Sequence, residues 1–531
     1  MPRFTVPPNF TGTVGSDTLI GEDLNKFPAI GIDILTGGLI YTGLGKDTIK
    51  GNGTGGKGRD GAIDNNGSKG GTGIGISNNG NLNVGSCDDA IIGKGIGGRG
   101  GKGADEFSSG DGFGNGTSGG DGGAGTGILN IGILNTGLGN DTISGNGTGG
   151  NGNYGGGQLD GGGDGGFGTG ISNSGSLNTE GGNDTITGTA IGGTGSDARY
   201  GGDGGFGTGI SNTGQLDTGD GNDAITGIGI SGIFGKELGP EFQGAGTGIS
   251  NNGNLNTGDG NDTITGTGNG DKGDISAFGG TGTGITNSKK LDTGDGEDTI
   301  IGTGTGIGGF DSYGTGIQNM KGATITTGQG NDTITGSGNV SAYSNIIAYG
   351  ISNNGVIDTG NGCDILTGQA TAKIGGTAYG IFNDGVIDTG NGCDILTGQA
   401  TATIGGTAYG IYGKGTIKTG DGNDKITSTS TIDGVQQKVT IGGGIGIDLG
   451  TGNDYFKGFG TGTLDGGKGF DTLDLSAFNR SELTFSGVIS GNALNPANIS
   501  FNNNGNVITL STTGFENFIF ADASLSYSTL V

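Results

Sequence analysis

Val356–Gly385 reads VIDTGNGCDILTGQATAKIGGTAYGIFNDG, and Val386–Gly415 reads VIDTGNGCDILTGQATATIGGTAYGIYGKG. The two stretches differ only at Lys373/Thr403, Phe382/Tyr412, Asn383/Gly413 and Asp384/Lys414, so the period is 30 residues. A fixed period of that size is the signature of a solenoid. Each unit holds three short runs, here Asp364–Ala372, Thr377–Asn383 and Val386–Gly390, rich in Ile, Val, Thr or Tyr and bounded by Gly or Asn. This is strand-and-turn punctuation. No run is long enough to bury a face alone, but equivalent strands of successive units can stack about 4.8 Å apart. The pattern predicts an all-β fold: a right-handed parallel β-helix with three strands per coil of about 30 residues.

One Asp, in the pattern T-G-x-G-N-D-T-I-x-G, tracks the unit along the chain. It falls at 47, 89, 141, 184, 223, 262, 298, 332, 364, 394, 424 and 454, with a first copy suggested at Asp17 and a last at Asp471. The steps run 42, 52, 43, 39, 39, 36, 34, 32 and then 30 three times. The extra length falls between the Asp-bearing strand and the second strand, most of all near Ile96–Gly125. Insertions at one corner leave stacked strands in register. Glycine-rich loops are therefore expected along one edge, either disordered or packed as extended polyglycine threads. The predicted organisation is an N-terminal cap and first irregular coil over residues 1–30, solenoid repeats over 31–469 and a C-terminal β cap over 470–531. An open solenoid end exposes a strand edge and the core, and the Phe-richer tail can cover both.

Three apolar columns are expected to face inward. One lies two residues after the marker Asp (Ile49, Ile91, Ile143 onward), one on the second strand (Ile76, Ile128, Ile171 onward) and one on the third (Leu82, Leu134, Leu177 onward). Asn78, Asn130, Asn173, Asn212, Asn251, Asn287, Asn319, Asn353 and Asn383 share the inward parity of the second column. A stacked Asn can bond the Asn above and below, so these are expected to form a structural ladder.

Composition narrows the function. Of 531 residues 141 are Gly, and 51 acidic against 24 basic residues give a net charge of −27. That balance excludes a nucleic-acid binder working by phosphate neutralisation and disfavours anionic lipid. It suits calcium or a salty exterior. Three Cys rule out a disulfide framework; Cys363 and Cys393 fall at the same position of neighbouring units, which puts their Cα atoms within disulfide reach, and two free thiols created by the duplication are the expectation. The start, MPRFTVPPNF, has no basic segment followed by an apolar run, so no classical signal peptide is expected. No run approaches membrane-spanning length.

The corner TGDGNDTI at Thr218–Ile225 recurs at Thr257–Ile264, and as TGDGEDTI at Thr293–Ile300. GTGNDYFKG (Gly450–Gly458) and GGKGFDTLDL (Gly466–Leu475) follow. These corners resemble the G-G-x-G-x-D-x-U-x nonapeptide of the hemolysin-type calcium-binding (RTX) proteins. The resemblance implies Ca²⁺ held by glycine-rich backbone and by Asp47, Asp141, Asp184, Asp223, Asp262, Asp298, Asp332, Asp364, Asp394, Asp424, Asp454 and Asp471. Hard oxygen ligands of that kind suit calcium. In this chain the nonapeptide occurs once per 30 or more residues rather than in tandem, so one edge alone would bind metal. The G-I-S-N-N-G-x-L-N segments are similar to the β-helices of bacterial surface haemagglutinins and autotransporter passengers. Gly514–Asp522 (GFENFIFAD) resembles the ends of calcium-repeat exoproteins that leave by type I secretion, whose uncleaved C-terminal signal accounts for a missing N-terminal one.

The leading expectation is a non-enzymatic, secreted or cell-surface bacterial solenoid with a structural, coat or adhesive role. Its partners would be Ca²⁺ and either cell-surface glycans or further copies of itself in a filament or layer. The alternative is a polysaccharide-active enzyme, although the chain has no His and its non-periodic candidates, Tyr154, Tyr200, Glu241 and Asp274, form no recognisable set. A third reading is ice or crystal binding by outward Thr ranks such as Thr185/Thr187, Thr263/Thr265 and Thr333/Thr335. Thr is also a good strand residue.

Overall fold

A computed structural model describes residues 2–62, 65–104, 116–156, 161–197, 201–235, 244–270, 279–308, 312–341, 346–487 and 497–530. Among them there is no α-helix, and parallel strands stack coil upon coil as a β-solenoid. In the duplicated stretch Ile365–Ala372 pairs residue for residue with Ile395–Ala402, Thr377–Asn383 with Thr407–Tyr412, and Val386–Asp388 with Thr416–Lys418. The register holds across the longest step, where Ile143 lies opposite Ile91. It begins at the first strands, where Phe4 pairs Ile32 and Leu19 pairs Ile49.

The three apolar columns are the core. Ile91, Ile128 and Leu134, like their counterparts in other coils, are fully buried. Each such aliphatic side chain contributes roughly 1.5–3 kcal/mol. The Asn column forms the expected ladder: Asn78 Nδ2 donates to Asn130 Oδ1 at 2.8 Å, and the pattern continues to Asn353 and Asn383 at 2.8 Å. Each amide also donates to a third-strand carbonyl of the next coil, as Asn130 Nδ2 does to Ser176 O at 2.9 Å. Buried amides are thereby satisfied without water.

Beyond this core the coil pinches shut. A Cβ at Gly145 would lie 2.3 Å from the carbonyl oxygen of Gly170, and one at Gly227 would lie 2.3 Å from that of Gly248. Only glycine lets the two walls meet backbone to backbone. The glycine-rich inserts leave from this pinch and, over the described residues, pack as extended threads. Their hydrogen bonds follow a period of three. Gly97, Gly100 and Gly103 donate to Thr148, Asn151 and Tyr154 of the next coil at 2.8–3.0 Å, while Gly98 and Gly101 donate to Gly71 and Ser68 at 2.8 Å. Three residues per turn is the polyproline II period. Two residues of each triplet face neighbouring threads, and the third, such as Arg99 or Lys102, is exposed.

Later coils fill the same lobe differently. Val340, Ile346, Ala348, Ala370, Ala372, Ala378, Ala400, Ala402 and Ala408 form a second, small apolar cluster. After the last 30-residue step, Asp471–Leu475 and Phe515–Phe520 extend the Asp-bearing sheet. An antiparallel meander of Leu483–Ser486, Ala497–Asn503 and Asn506–Thr513 lies beside it. Phe459, Phe478, Phe515 and Phe518 are buried there.

Candidate metal site: a column of buried aspartates

The marker Asp and the core residue two positions on share one parity, so both side chains turn inward at the same corner. Register then brings all twelve predicted ligands, Asp47 to Asp471, into a single column. Each carboxylate accepts from the backbone of the preceding coil. Asp184 N–H donates to Asp223 Oδ1 at 2.7 Å, Asp223 to Asp262 at 2.8 Å, Asp364 to Asp394 at 2.9 Å and Asp454 to Asp471 at 2.8 Å. Asp89, a marker position outside the predicted ligand set, stands in the same column between Asp47 and Asp141. Asp17 opens the column by donating its N–H to Asp47 Oδ1 at 2.6 Å. At the far end Asp471 N–H donates to Glu516 Oε2 at 2.8 Å. Glu516 was not legible as a column member, because it lies beyond the last repeat.

The second carboxylate oxygen is the unusual one. At Asp47, Asp89, Asp141, Asp184, Asp223, Asp262, Asp298, Asp332, Asp424, Asp454 and Asp471, Oδ2 is buried and makes no hydrogen bond of ordinary geometry, although a Thr hydroxyl stands near the carboxylates of Asp141, Asp184, Asp223, Asp262, Asp298, Asp332 and Asp424. Only Asp364 and Asp394 differ, since the Thr359 and Thr389 hydroxyls donate to their Oδ2 at 2.6 Å. The Thr179, Thr218, Thr257, Thr327 and Thr419 hydroxyls donate to a carbonyl of the next coil, as Thr218 does to Thr257 O at 3.2 Å, while standing near enough to their Asp to offset part of the burial. A buried polar atom left unpaired is costly. Burial pushes Asp89, Asp262, Asp332, Asp394 and Asp471 up to about 7, and Asp141, Asp223, Asp298, Asp424 and Asp454 up to about 6. Asp184 and Asp364 are raised for the same reason. Like charges one coil apart would repel by about 3 kcal/mol per pair at an effective dielectric of ~20.

The donor chemistry fits a hard cation. It offers a carboxylate oxygen without an ordinary hydrogen bond in every coil but those of Asp364 and Asp394, beside glycines such as Gly219 and Gly258, whose φ values are +81° and +82°. Among the described residues no three His, Cys, Asp or Glu side chains converge. A cation here would therefore draw carboxylates from two coils and complete its shell from the backbone.

The outer side of the corner carries a second ladder running the other way. Asn222 N–H donates to Asn183 Oδ1 at 2.8 Å, and Asn261 N–H to Asn222 Oδ1 at 2.7 Å. The corner is thus braced from both sides by side chains bonding across coils. No protein-family model matches this chain, and no curated protein matches it.

The remaining predicted candidates do not assemble. Tyr154 is exposed on a thread, and Tyr200, Glu241 and Asp274 lie outside the described residues. The Thr ranks are broken in register: Ala224 interrupts the one through Thr185 and Thr263, and Ile301 the one through Thr265 and Thr335. Among the described residues no helix is long and apolar enough to cross a membrane. One feature escaped sequence reading. Tyr349, Tyr379 and Tyr409 stack along the solenoid with ring centroids 5.5 and 6.2 Å apart, beside the Phe382–Tyr412 pair at 6.0 Å. All five rings are half-buried. The signal was the repeated A-Y-G-I: Phe382 and Tyr412 point outward because they follow the inward Ile381 and Ile411, whereas Tyr379 shares the parity of Ile381 and is carried outward by a slip of the alternation at Gly380.

Proposed function

We propose that the protein is a calcium-stabilised β-solenoid that serves as a secreted or cell-surface structural, coat or adhesive element. The observation that carries the proposal is the continuous column of buried carboxylates, most of which hold an oxygen without a hydrogen bond of ordinary geometry. Such a column needs neutralising, and the two available agents are protons and cations. In the exterior, at neutral pH and with calcium abundant, the cation is the agent that ties neighbouring corners together, and its binding is then folding free energy. The RTX resemblance of the corners and the surplus of acidic residues support the same reading.

Export through the C-terminal segment fits the burial of Phe515, Phe518 and Phe520. A signal there is readable only before the chain folds, which calcium outside the cell would then drive. Adhesion we assign to the Tyr349–Tyr379–Tyr409 rank. Its rings give a flat, half-exposed platform suited to the apolar faces of sugar rings in a surface glycan.

Thermal melting in chelator, calcium and magnesium tests the reading. Chelator should lower the melting temperature, calcium should restore it, and magnesium should do so poorly because it demands tighter octahedral geometry. Identical melting in chelator and in excess calcium would sink the calcium role. Separately, Tyr379→Ala/Tyr409→Ala should lose retention on immobilised surface polysaccharide while keeping the parent's strand content by circular dichroism.

A further inference from the structure

The three cysteines are free and exposed. Two of them are neighbours in space. Asn361 and Asn391 are bridged in parallel, and Ile365 pairs Ile395, so Cys363 and Cys393 between them lie in register on adjacent coils. Parallel neighbours stand about 4.8 Å apart, within the Cα separation of about 4.4–6.8 Å that disulfides span. In-register side chains leave the backbone side by side, so one must lean toward the other. Both side chains are exposed, so each has room to turn toward the other. The flanking coils place Asn331 and Asn423 at this position, so the pair is isolated from the third thiol. Cys87 has glycine as its counterpart on both sides, Gly45 and Gly139.

We infer that Cys363 and Cys393 form a paired-thiol site that is oxidised to a disulfide bridging the two duplicated coils. The oxidant is a small-molecule disulfide. One Cys thiolate attacks its S–S bond, releasing one thiol and leaving a mixed disulfide. The second Cys attacks that intermediate and releases the other thiol. Two protein thiols are thereby oxidised and one small disulfide is reduced to two thiols. The bridge lies on the outer side of the corner whose inner side carries Asp364 and Asp394, and it adds a covalent link between coils that otherwise cohere through hydrogen bonds and the stacked apolar columns. This inference is independent of calcium binding.

The test is intact-mass and peptide mapping of the folded, full-length protein after incubation with oxidised glutathione, with Cys87 as the internal comparator. A cross-linked peptide pair lighter by two hydrogens, with no glutathione on Cys363 or Cys393 while Cys87 carries an adduct, is the expected result. In Cys363→Ser the remaining Cys393 should carry glutathione as Cys87 does. Glutathione adducts on both Cys363 and Cys393 of the parent protein would overturn the inference. So would an unreacted pair beside a modified Cys87.

Discussion

The coils before residue 340 and those after it share a core and differ in how they fill the lobe beyond the pinch. In the earlier coils that lobe is a bundle of glycine threads held by backbone hydrogen bonds, where a Cβ at Gly97 would sit 1.9 Å from the carbonyl oxygen of Gly123. In the later coils it is a small alanine core. The change is visible at one register position: Gly338 stacks on Ala370, which stacks on Ala400. Glycine loses the most conformational entropy on ordering, so the threads rely on their bonding network, whereas alanine buries a methyl group and needs no insert. The contrast teaches that the inner columns and the Asp corner are indifferent to what lies beyond the pinch. The repeat can therefore shrink from 52 to 30 residues with its register intact.

If the corner is common to both regions, the largest effect should fall on both alike. The column carboxyls stand near 6 to 7 against an ordinary value of 3.8. Between those values the folded state binds more protons than the unfolded state, so stability falls as pH rises through that window. In chelator the protein should melt many degrees higher at pH 5 than at pH 7.5, and calcium should flatten the dependence. Limited proteolysis should report loosening in both Gly97–Gly235 and Ile347–Ile432. Loosening confined to one region would show that the corners are not equivalent.

The second effect separates the regions. Gly150→Val places a side chain where a Cβ already meets the Gly98 carbonyl oxygen at 2.0 Å. It should cost about 3 kcal/mol or more and open the threads to protease. Ala400→Gly removes a methyl from the second cluster and should cost only about 1 kcal/mol, read by denaturant melts. Equal costs would mean that the threads are as compliant as the alanine lobe.

Much of this was legible beforehand. The period, the apolar columns and the Asn ladder follow from parity and spacing, because a parallel solenoid places equal repeat positions on top of one another. The Asp column was legible as a column along one edge; its burial is a finding of the structure, explained by the parity shared with Ile225 or Ile264. The orphaned Oδ2 atoms were not, since they depend on which way the Thr hydroxyls turn. For the threads the sequence allows two readings, because Gly-Gly-x suits both disorder and a three-residue helix. What decides between them is contact with the thread of the next coil, which composition does not encode. Glu516 was missed because the repeat had already ended.

The smallest expected effect bears on the thread geometry itself. If the threads follow a polyproline II path, a proline fits wherever the amide N–H is not donated, because its fixed φ is close to that of the helix. Arg99 is such a place. It is exposed, while the amides of Gly98 and Gly100 on either side donate to Gly71 at 2.8 Å and to Asn151 at 3.0 Å. The residue before it is glycine, which accepts the extended conformation that proline imposes on its predecessor. Arg99→Pro should therefore lie within about 0.5 kcal/mol of Arg99→Ala, or above it, since proline also restricts the unfolded chain. The alanine variant corrects for the lost guanidinium bond to Asn153 Oδ1 at 3.1 Å. Gly100→Pro, one residue away, deletes a thread-to-thread bond and inserts a ring where a Cβ would meet the Gly120 carbonyl oxygen at 1.8 Å. It should destabilise far more than Arg99→Pro. Comparable losses from the two prolines in denaturant melts would reject the three-residue thread, and with it the contrast between a threaded and an alanine-filled lobe.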